Sequence, residues 1–386
     1  MPQLRDVINA LESWFDPSRA EQWDAVGLVC GDPAETVTKV LLAVDAVPAT
    51  VEEAISSGAQ LLVTHHPLLL KGVHSVAAND PKGAMVHRMI RSSVAHFVAH
   101  TNADIARPGV SDALAEVVGL HSLRPLDPIP TPPLDKLVTF VPLEAVDSVA
   151  EALCAAGAGR LGNYEHCTFV TTGEGTFRPL AGAEPAVGEV GQLSRVAEVR
   201  LEVVAPRHLR ETMIAVLRAH HPYEEPAFDL FEHADQRSDC GIGRLGELPA
   251  PMTLRDFTAW CAQRLPATSW GVRAAGDPEK VVRSVAVCGG AGGSLIEAAR
   301  RVGADAYVTS DLRHHIAAEA VTERGSTAMA LVDAAHWATE SPWLQVVARR
   351  LQATFGGDGS AFTVAVSAQV TDPWTLHYPS PLSTQG

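Results

Sequence analysis

Two adjacent imidazoles, His65 and His66, close the apolar run Leu61-Leu62-Val63-Thr64 and are followed at once by Pro67. A buried strand that ends this way delivers two nitrogen ligands at its carboxyl end. Neighbouring side chains point to opposite faces of a strand, but the proline stops the strand, and a turn there would bring both rings to one cavity. Two further segments carry matching chemistry. One is His100-Thr101-Asn102-Ala103-Asp104; the other is 333–340, in which His336 and Glu340 stand four residues apart. On a helix that spacing puts both on one face.

Three imidazoles and two carboxylates form a nitrogen–oxygen set for divalent ions. His65, His66, Asp104, His336 and Glu340 are too many for one zinc ion with an open position. They suit two ions per chain sharing a water and a bridging carboxylate, with Glu340 as the bridge. Such ligands accept zinc, manganese or iron. Each piece alone also has a plain structural reading: a strand-end histidine pair, a chance His-x-x-x-Glu spacing, an aspartate capping a helix. Asp24, Asp45 and Asp311 would either orient ligand imidazoles or cap helices. The run Gly289-Gly290-Ala291-Gly292-Gly293-Ser294 follows a strand and opens a helix. It would either cradle a phosphate or serve as a closely packed turn.

These residues need a scaffold. Leu4, Val7, Ile8, Leu11, Trp14 and Phe15 fall at helical spacing. Strands are expected at 39–45, 60–64 and 96–100, with helices at 50–57 and 81–93 between them. That alternation indicates a mainly parallel sheet with both faces covered, and ligands gather at the carboxyl ends of such strands. The proline-rich stretch 123–133 reads as a linker. Beyond it, a strand at 136–141, a helix at 145–156, strands at 167–172 and 199–204 and a helix at 207–219 suggest a ferredoxin-like α+β insert. A second boundary is expected near 247–252. The α/β pattern then resumes with a helix at 253–264, a strand at 284–288, a helix at 295–302 and a strand at 306–309. The expected layout is an α/β core of two chain segments, 1–124 and 251–386, interrupted by an insert at 125–250. The tail 378–386 reads as frayed.

The 386 residues are 46% hydrophobic and 19% charged, enough for large cores in two or three domains. A formal net charge of -15 argues against a nucleic-acid partner held through phosphate contacts. The six cysteines form no Cys-x-x-Cys pair, which argues against a disulfide scaffold or a thiolate zinc site. The first residues lack the layout of a secretion signal, and no apolar stretch is long enough for a bilayer. A soluble cytoplasmic protein with no membrane partner is expected.

Several segments carry a family resemblance when taken together. They are Trp23-Asp24-Ala25-Val26-Gly27-Leu28, Thr64-His65-His66-Pro67-Leu68, His100-Thr101-Asn102-Ala103-Asp104 and Gly109-Val110-Ser111-Asp112. Later come Thr309-Ser310-Asp311-Leu312-Arg313-His314-His315 and the His336 to Glu340 segment. In this order the chain resembles the NIF-three-like dinuclear metal-centre hexamer family, often labelled GTP cyclohydrolase 1 type 2. The resemblance implies that His65, His66, Asp104, His336 and Glu340 ligate the metals, and that the assembly is a homo-hexamer, a trimer of dimers. His315 resembles a family histidine near the metals, which would serve as a catalytic proton donor or cap a helix. Two positions depart from the family pattern: Ala25 and Ser111 stand where asparagine is usual. Neither is a ligand position, so the departures bear on substrate contacts. Within the insert, the stretch 219–229, with His221-Pro222-Tyr223-Glu224, resembles PII-like and CutA-like proteins. The resemblance implies a lid packing as trimers. By itself the motif reads as a structured turn into an edge strand, or more sharply as a small-molecule sensing site.

Two functions fit this reading. The first is a metal-dependent hydrolase acting on a nucleotide. The family label implies GTP, with opening of the guanine imidazole ring and release of formate. The second is a non-enzymatic hexameric scaffold, metal carrier or regulatory sensor.

Overall fold

The computed structural model describes residues 1–234, 237–322, 328–357, 359 and 361–378. Beyond Tyr378, the tail expected to fray lies outside the described residues. The chain divides into two compact units, Met1–Ile129 with Asp239–Gly386, and Pro130–Ser238.

The first unit is mixed α/β and holds two sheets rather than one. In the first sheet the strands run in the order Gly27–Cys30, Ala95–Val98, Leu61–Thr64, Lys39–Ala43 and Thr363–Val366. The last four are mutually parallel, and Gly27–Cys30 is an antiparallel edge. Strand Leu61–Thr64 is buried at all four positions, as a central parallel strand covered on both faces must be. The helix Leu4–Trp14 buries Leu4, Val7, Ile8 and Leu11 in a core shared with Phe15, Trp343 and Val347. Each such side chain contributes about 1.5–3 kcal/mol of hydrophobic stabilisation. The helix Val110–Val118 ends at Gly119, whose φ of +87° supplies the left-handed cap.

In the second sheet the order is Val272–Ala275, Ala330–Ala334, Ala306–Ser310, Val281–Val287, Arg237–Thr253 and His121–Pro130. The strands Val281–Val287, Ala306–Ser310 and Ala330–Ala334 are parallel, with antiparallel strands on either side. Residues 123–130 of the stretch read as a linker, and the whole stretch read as a second boundary, therefore lie within strands. His121–Pro130 is an edge strand, where prolines are tolerated because one side of the backbone needs no hydrogen-bond partner. The stretch 247–252 lies inside Arg237–Thr253, at a break in register between Glu247 and Met252. Pro249 and Pro251 interrupt the ladder there without ending the strand.

The second unit runs strand Leu134–Pro142, helix Val146–Ala155, strands Thr168–Phe177 and Ser194–Pro206, helix Arg210–His220 and strand Phe228–Glu232. Its sheet order is Thr168–Phe177, Ser194–Pro206, Leu134–Pro142, Phe228–Glu232, with every neighbouring pair antiparallel. Leu137, Val149, Leu153, Leu201 and Leu217 fill its core. His221 holds the following turn: its Nε2 donates to the Phe140 carbonyl (3.0 Å), and its Nδ1 accepts from the Tyr223 N–H (3.1 Å). Among the described residues no helix is long and apolar enough to cross a membrane.

Candidate metal centre

All five residues singled out as ligands lie in the first unit, and they converge. The strand Leu61–Thr64 ends just before the histidine pair, and the Thr64 hydroxyl caps the turn by donating to the His66 carbonyl (2.9 Å). The helix Thr101–Ile105 carries Asp104. The strand Ala330–Ala334 leads through Ala335 into the helix His336–Glu340. The His65 Nε2 lies 3.5 Å from Glu340 Oε1 and 3.8 Å from Asp104 Oδ1. The His66 Nε2 is 3.1 Å from Glu340 Oε2, and the His336 Nε2 is 2.9 Å from Glu340 Oε1.

A fourth imidazole joins them. The His100 ring centroid is 5.1 Å from that of His65 and 5.5 Å from that of His66. One donor atom from each of His65, His66 and His100 falls within 4.8 Å of the others, and so does one from each of His66, His336 and Glu340. All four rings are anchored in the same way. Their Nδ1 atoms meet the Ala99 carbonyl (2.9 Å), Asp45 (2.7 Å), Asp24 (2.8 Å) and Asp311 (2.7 Å), for His65, His66, His100 and His336 respectively. A carbonyl or carboxylate oxygen accepts, so each Nδ1 donates its proton and Nε2 is left to face its neighbours. This backing fixes tautomer and ring orientation in metal-binding histidines. Asp24, Asp45 and Asp311 thus orient imidazoles, the first of the two roles open to them. Asp24 is held in turn by the Thr101 hydroxyl (2.5 Å) and backbone N–H (3.0 Å).

Charge sharpens the picture. Burial pushes the His66 imidazole down, but the Glu340 and Asp45 carboxylates outweigh it and raise its pKa to about 10. Burial is likewise outweighed at His336, which Asp311 and Glu340 raise to about 11. Burial lifts Asp104 to about 7 against the pull of the nearby imidazoles. At Glu340 burial raises the pKa, yet the surrounding histidines hold it well below the ordinary value. The carboxylates therefore demand positive charge among them. Two buried atoms reinforce this: His65 Nε2 and Glu340 Oε2 have no hydrogen-bond partner. His66 Nε2 stands 3.1 Å from that oxygen as an ion-pair contact. A lone pair on His65 facing two carboxylates is costly unless a cation lies between them, so these residues fit divalent ions.

The glycine run is part of the cage wall. The Gly290 N–H donates to the Thr339 hydroxyl (3.0 Å), and the Gly292 N–H to the Thr309 hydroxyl (2.9 Å). A Cβ on Gly290 would collide with Glu340 Oε1 and lie 3.1 Å from His336 Nε2. The Gly290 and Gly292 N–H groups are thus used within the protein, which favours the packed turn over the phosphate cradle at these two positions. His315 is not brought to the cluster. It is exposed at the start of the helix His314–Thr322, with its ring against that of His314. The chain turns at Asp311, which takes the place beside His336. Ser111, one of the two departures from the family pattern, accepts from the Gly289 N–H (3.4 Å). A cavity of about 240 Å³ opens beside His66 and His336. A larger one, about 610 Å³, lies within the second unit and includes none of the clustered histidines.

A family model described as Duf34/NIF3 (NGG1p interacting factor 3) matches residues 2–373. A Mycobacterium leprae protein named GTP cyclohydrolase 1 type 2 homolog is 50% identical over 375 residues, covering 97% of this chain and 95% of its own. A Bacillus subtilis protein of the same name is 36% identical over 372 residues, covering 96% and 98%. The crystal structure of a Bacillus cereus protein related to NIF3 matches with a TM-score of 0.75 at 35% identity, over 97% of this chain and 99% of that one. The cage of histidines and carboxylates described above is thus built on the frame of the Duf34/NIF3 family, to which this chain belongs.

Proposed function

We propose that the protein is a metal-dependent hydrolase whose cage takes two divalent ions, held by His65, His66, Asp104, His336 and Glu340. The observation that carries this reading is the common orientation of four imidazoles, each tied through Nδ1 to an oxygen acceptor. When bound, the ions would supply an acidified water and polarise the bond under attack. The donor atoms fall into two groups that share His66, and Glu340, a member of the second, also reaches His65 of the first. Its Oε1 faces His65 and His336 while its Oε2 faces His66, which suits a bridge. The Asp24 carboxylate backs His100 as the orienting partner of a general base would. We assign His100 the proton-carrying role that the sequence pattern gave to His315.

The name of the relatives makes GTP the first substrate to test and a nucleotide the favoured class. A homo-hexamer belongs to the same proposal, and equilibrium sedimentation would give six times the 40.9 kDa of one chain. The protein, loaded separately with zinc, manganese and iron, is incubated with GTP and other nucleotides, and formate and phosphate are measured. Turnover that is lost in both His65→Ala and Glu340→Ala is the expected result. Tight metal binding without turnover of any nucleotide would instead support the scaffold or carrier reading.

A further inference from the structure

The cavity of about 240 Å³ beside His66 and His336 has an unusual lining for a nucleotide enzyme. Its walls include Trp270, Trp337 and Trp374 together with Asp45, Asp311 and Asp372, and among the described residues no lysine or arginine lines it. A phosphate placed there would meet three carboxylates. A flat uncharged ring would meet indoles. The Trp270 and Trp374 rings lie 5.7 Å apart with a 37° tilt. Arg273 braces Trp270, its guanidinium 4.6 Å from the ring centre and paired with Asp333 at 2.7 Å. The segment carrying Asp372 is tied to the cage, since the Thr371 hydroxyl donates to Asp45, which in turn holds His66.

Two polar atoms of this lining are buried without a hydrogen-bond partner: Trp270 Nε1 and Asp372 Oδ2. Asp372 is only 8% exposed. Its carboxylate takes the Trp374 backbone N–H, yet Oδ2 is left over. An indole N–H only donates and a carboxylate only accepts. One orphan of each kind in a single aromatic-walled cavity is an expensive arrangement that a ligand offering the complementary pair would relieve. A carbonyl adjacent to a ring N–H is such a pair.

We propose that this cavity binds the lactam edge of a flat heterocycle. The ring carbonyl accepts from Trp270 Nε1, the ring N–H donates to Asp372 Oδ2, and the Trp374 indole lies against the ring face. As a substrate subsite it rests on the hydrolase reading above; as a binding site it does not. Trp270 and Asp372 are then specificity residues, selecting the ring by its edge, and ring bonds near that edge are presented toward His66 and His336.

The test uses the full chain, both zinc-loaded and chelator-treated. It is titrated with guanosine and uridine, which carry the edge, and with their ring-N-methylated forms, which lack the donor. Binding is read from tryptophan emission and from heat. Saturable binding of guanosine or uridine is expected in both metal states. The methylated ring, Asp372→Leu and Trp270→Phe should each weaken it by about tenfold or more, about 1.4 kcal/mol. Trp270→Phe keeps the aromatic wall, so it still decides the matter if Asp372→Leu fails to fold. Absence of saturable binding by either nucleoside, or equal affinity for methylated rings and in both variants, overturns the proposal. Ring binding without turnover would support this site while sinking the hydrolase. Turnover of p-nitrophenyl phosphate without ring binding would do the reverse.

Discussion

Replacing Gly290 by alanine should damage the metal cage without touching any ligand. Gly290 has φ +67°, a left-handed conformation that costs an L-residue about 1–2 kcal/mol. The larger effect is local. The new methyl group would overlap Glu340 Oε1 and press on His336 Nε2 at 3.1 Å. The backbone has little room to give, because the Gly290 N–H is bound to Thr339 and its carbonyl accepts from both the Thr309 hydroxyl and the Ser310 N–H. The Glu340 carboxylate must therefore retreat by roughly 1 Å to restore ordinary contact. Disturbing the support of a ligand typically weakens metal affinity by about 10–100-fold, and displacing the ligand itself should cost at least that. Competition with a zinc chelator measures the loss, and thermal melting in the presence of chelator reports the separate backbone cost. Gly293→Ala is the control, since its nearest neighbours would lie 3.9 Å away, and its affinity should match the parent protein. A folded Gly290→Ala protein that binds zinc as tightly as the parent would refute the placement of Glu340 in the ion's shell.

Zinc uptake should release protons and tighten as pH rises. With His66 at about 10 and His336 at about 11, both imidazoles are protonated at neutral pH and must lose those protons to ligate. Calorimetry in buffers of different ionisation enthalpy should find roughly two protons released per chain near pH 7.5, and apparent affinity should gain up to about tenfold per pH unit for each; no release would contradict the charge balance described. His315→Ala should leave zinc affinity unchanged, whereas His100→Ala should lower turnover by about 10²-fold or more; kinetics of the two variants in parallel would separate them. Asp112→Ala should destabilise the first unit by about 3–5 kcal/mol in chemical denaturation. It strips the partner from Arg244, which is fully buried and bound to both Asp112 oxygens at 2.7 and 2.8 Å. Adding Arg244→Met should recover part of that loss.

The sequence showed the site best where one residue forces a backbone event. Pro67 marks the end of the strand that delivers the two histidines; the strand stops at Thr64, just before them, and the turn brings both rings into one cluster. The spacing of His336 and Glu340 needed only a helix to become a contact. The aspartates were ambiguous, because an orienting carboxylate and a capping one look alike until a ring nitrogen is seen at 2.7 or 2.8 Å. His100 went unassigned although its signal was present: like His65, it lies just past the end of a short buried strand, here Ala95–Val98. His315 carried only the family pattern, and its ring lies exposed against His314, outside both donor groups. Trp270 and Asp372 lie about a hundred positions apart, with no periodicity or motif to link them. The prolines of 123–133 and 247–252 marked irregular backbone correctly, but composition does not distinguish a linker from an edge strand or a break in register.

The central claim is that one cage of histidines and carboxylates grips a pair of cations. It is tested most directly by anomalous scattering at the zinc, iron and manganese absorption edges, on crystals grown from metal-replete protein with parallel elemental analysis. Two peaks per chain within bonding distance of the His65, His66 and His336 Nε2 atoms, with the Glu340 carboxylate between them, are predicted. No peak at that position, with no metal in the analysed protein, would contradict both the hydrolase and the carrier readings.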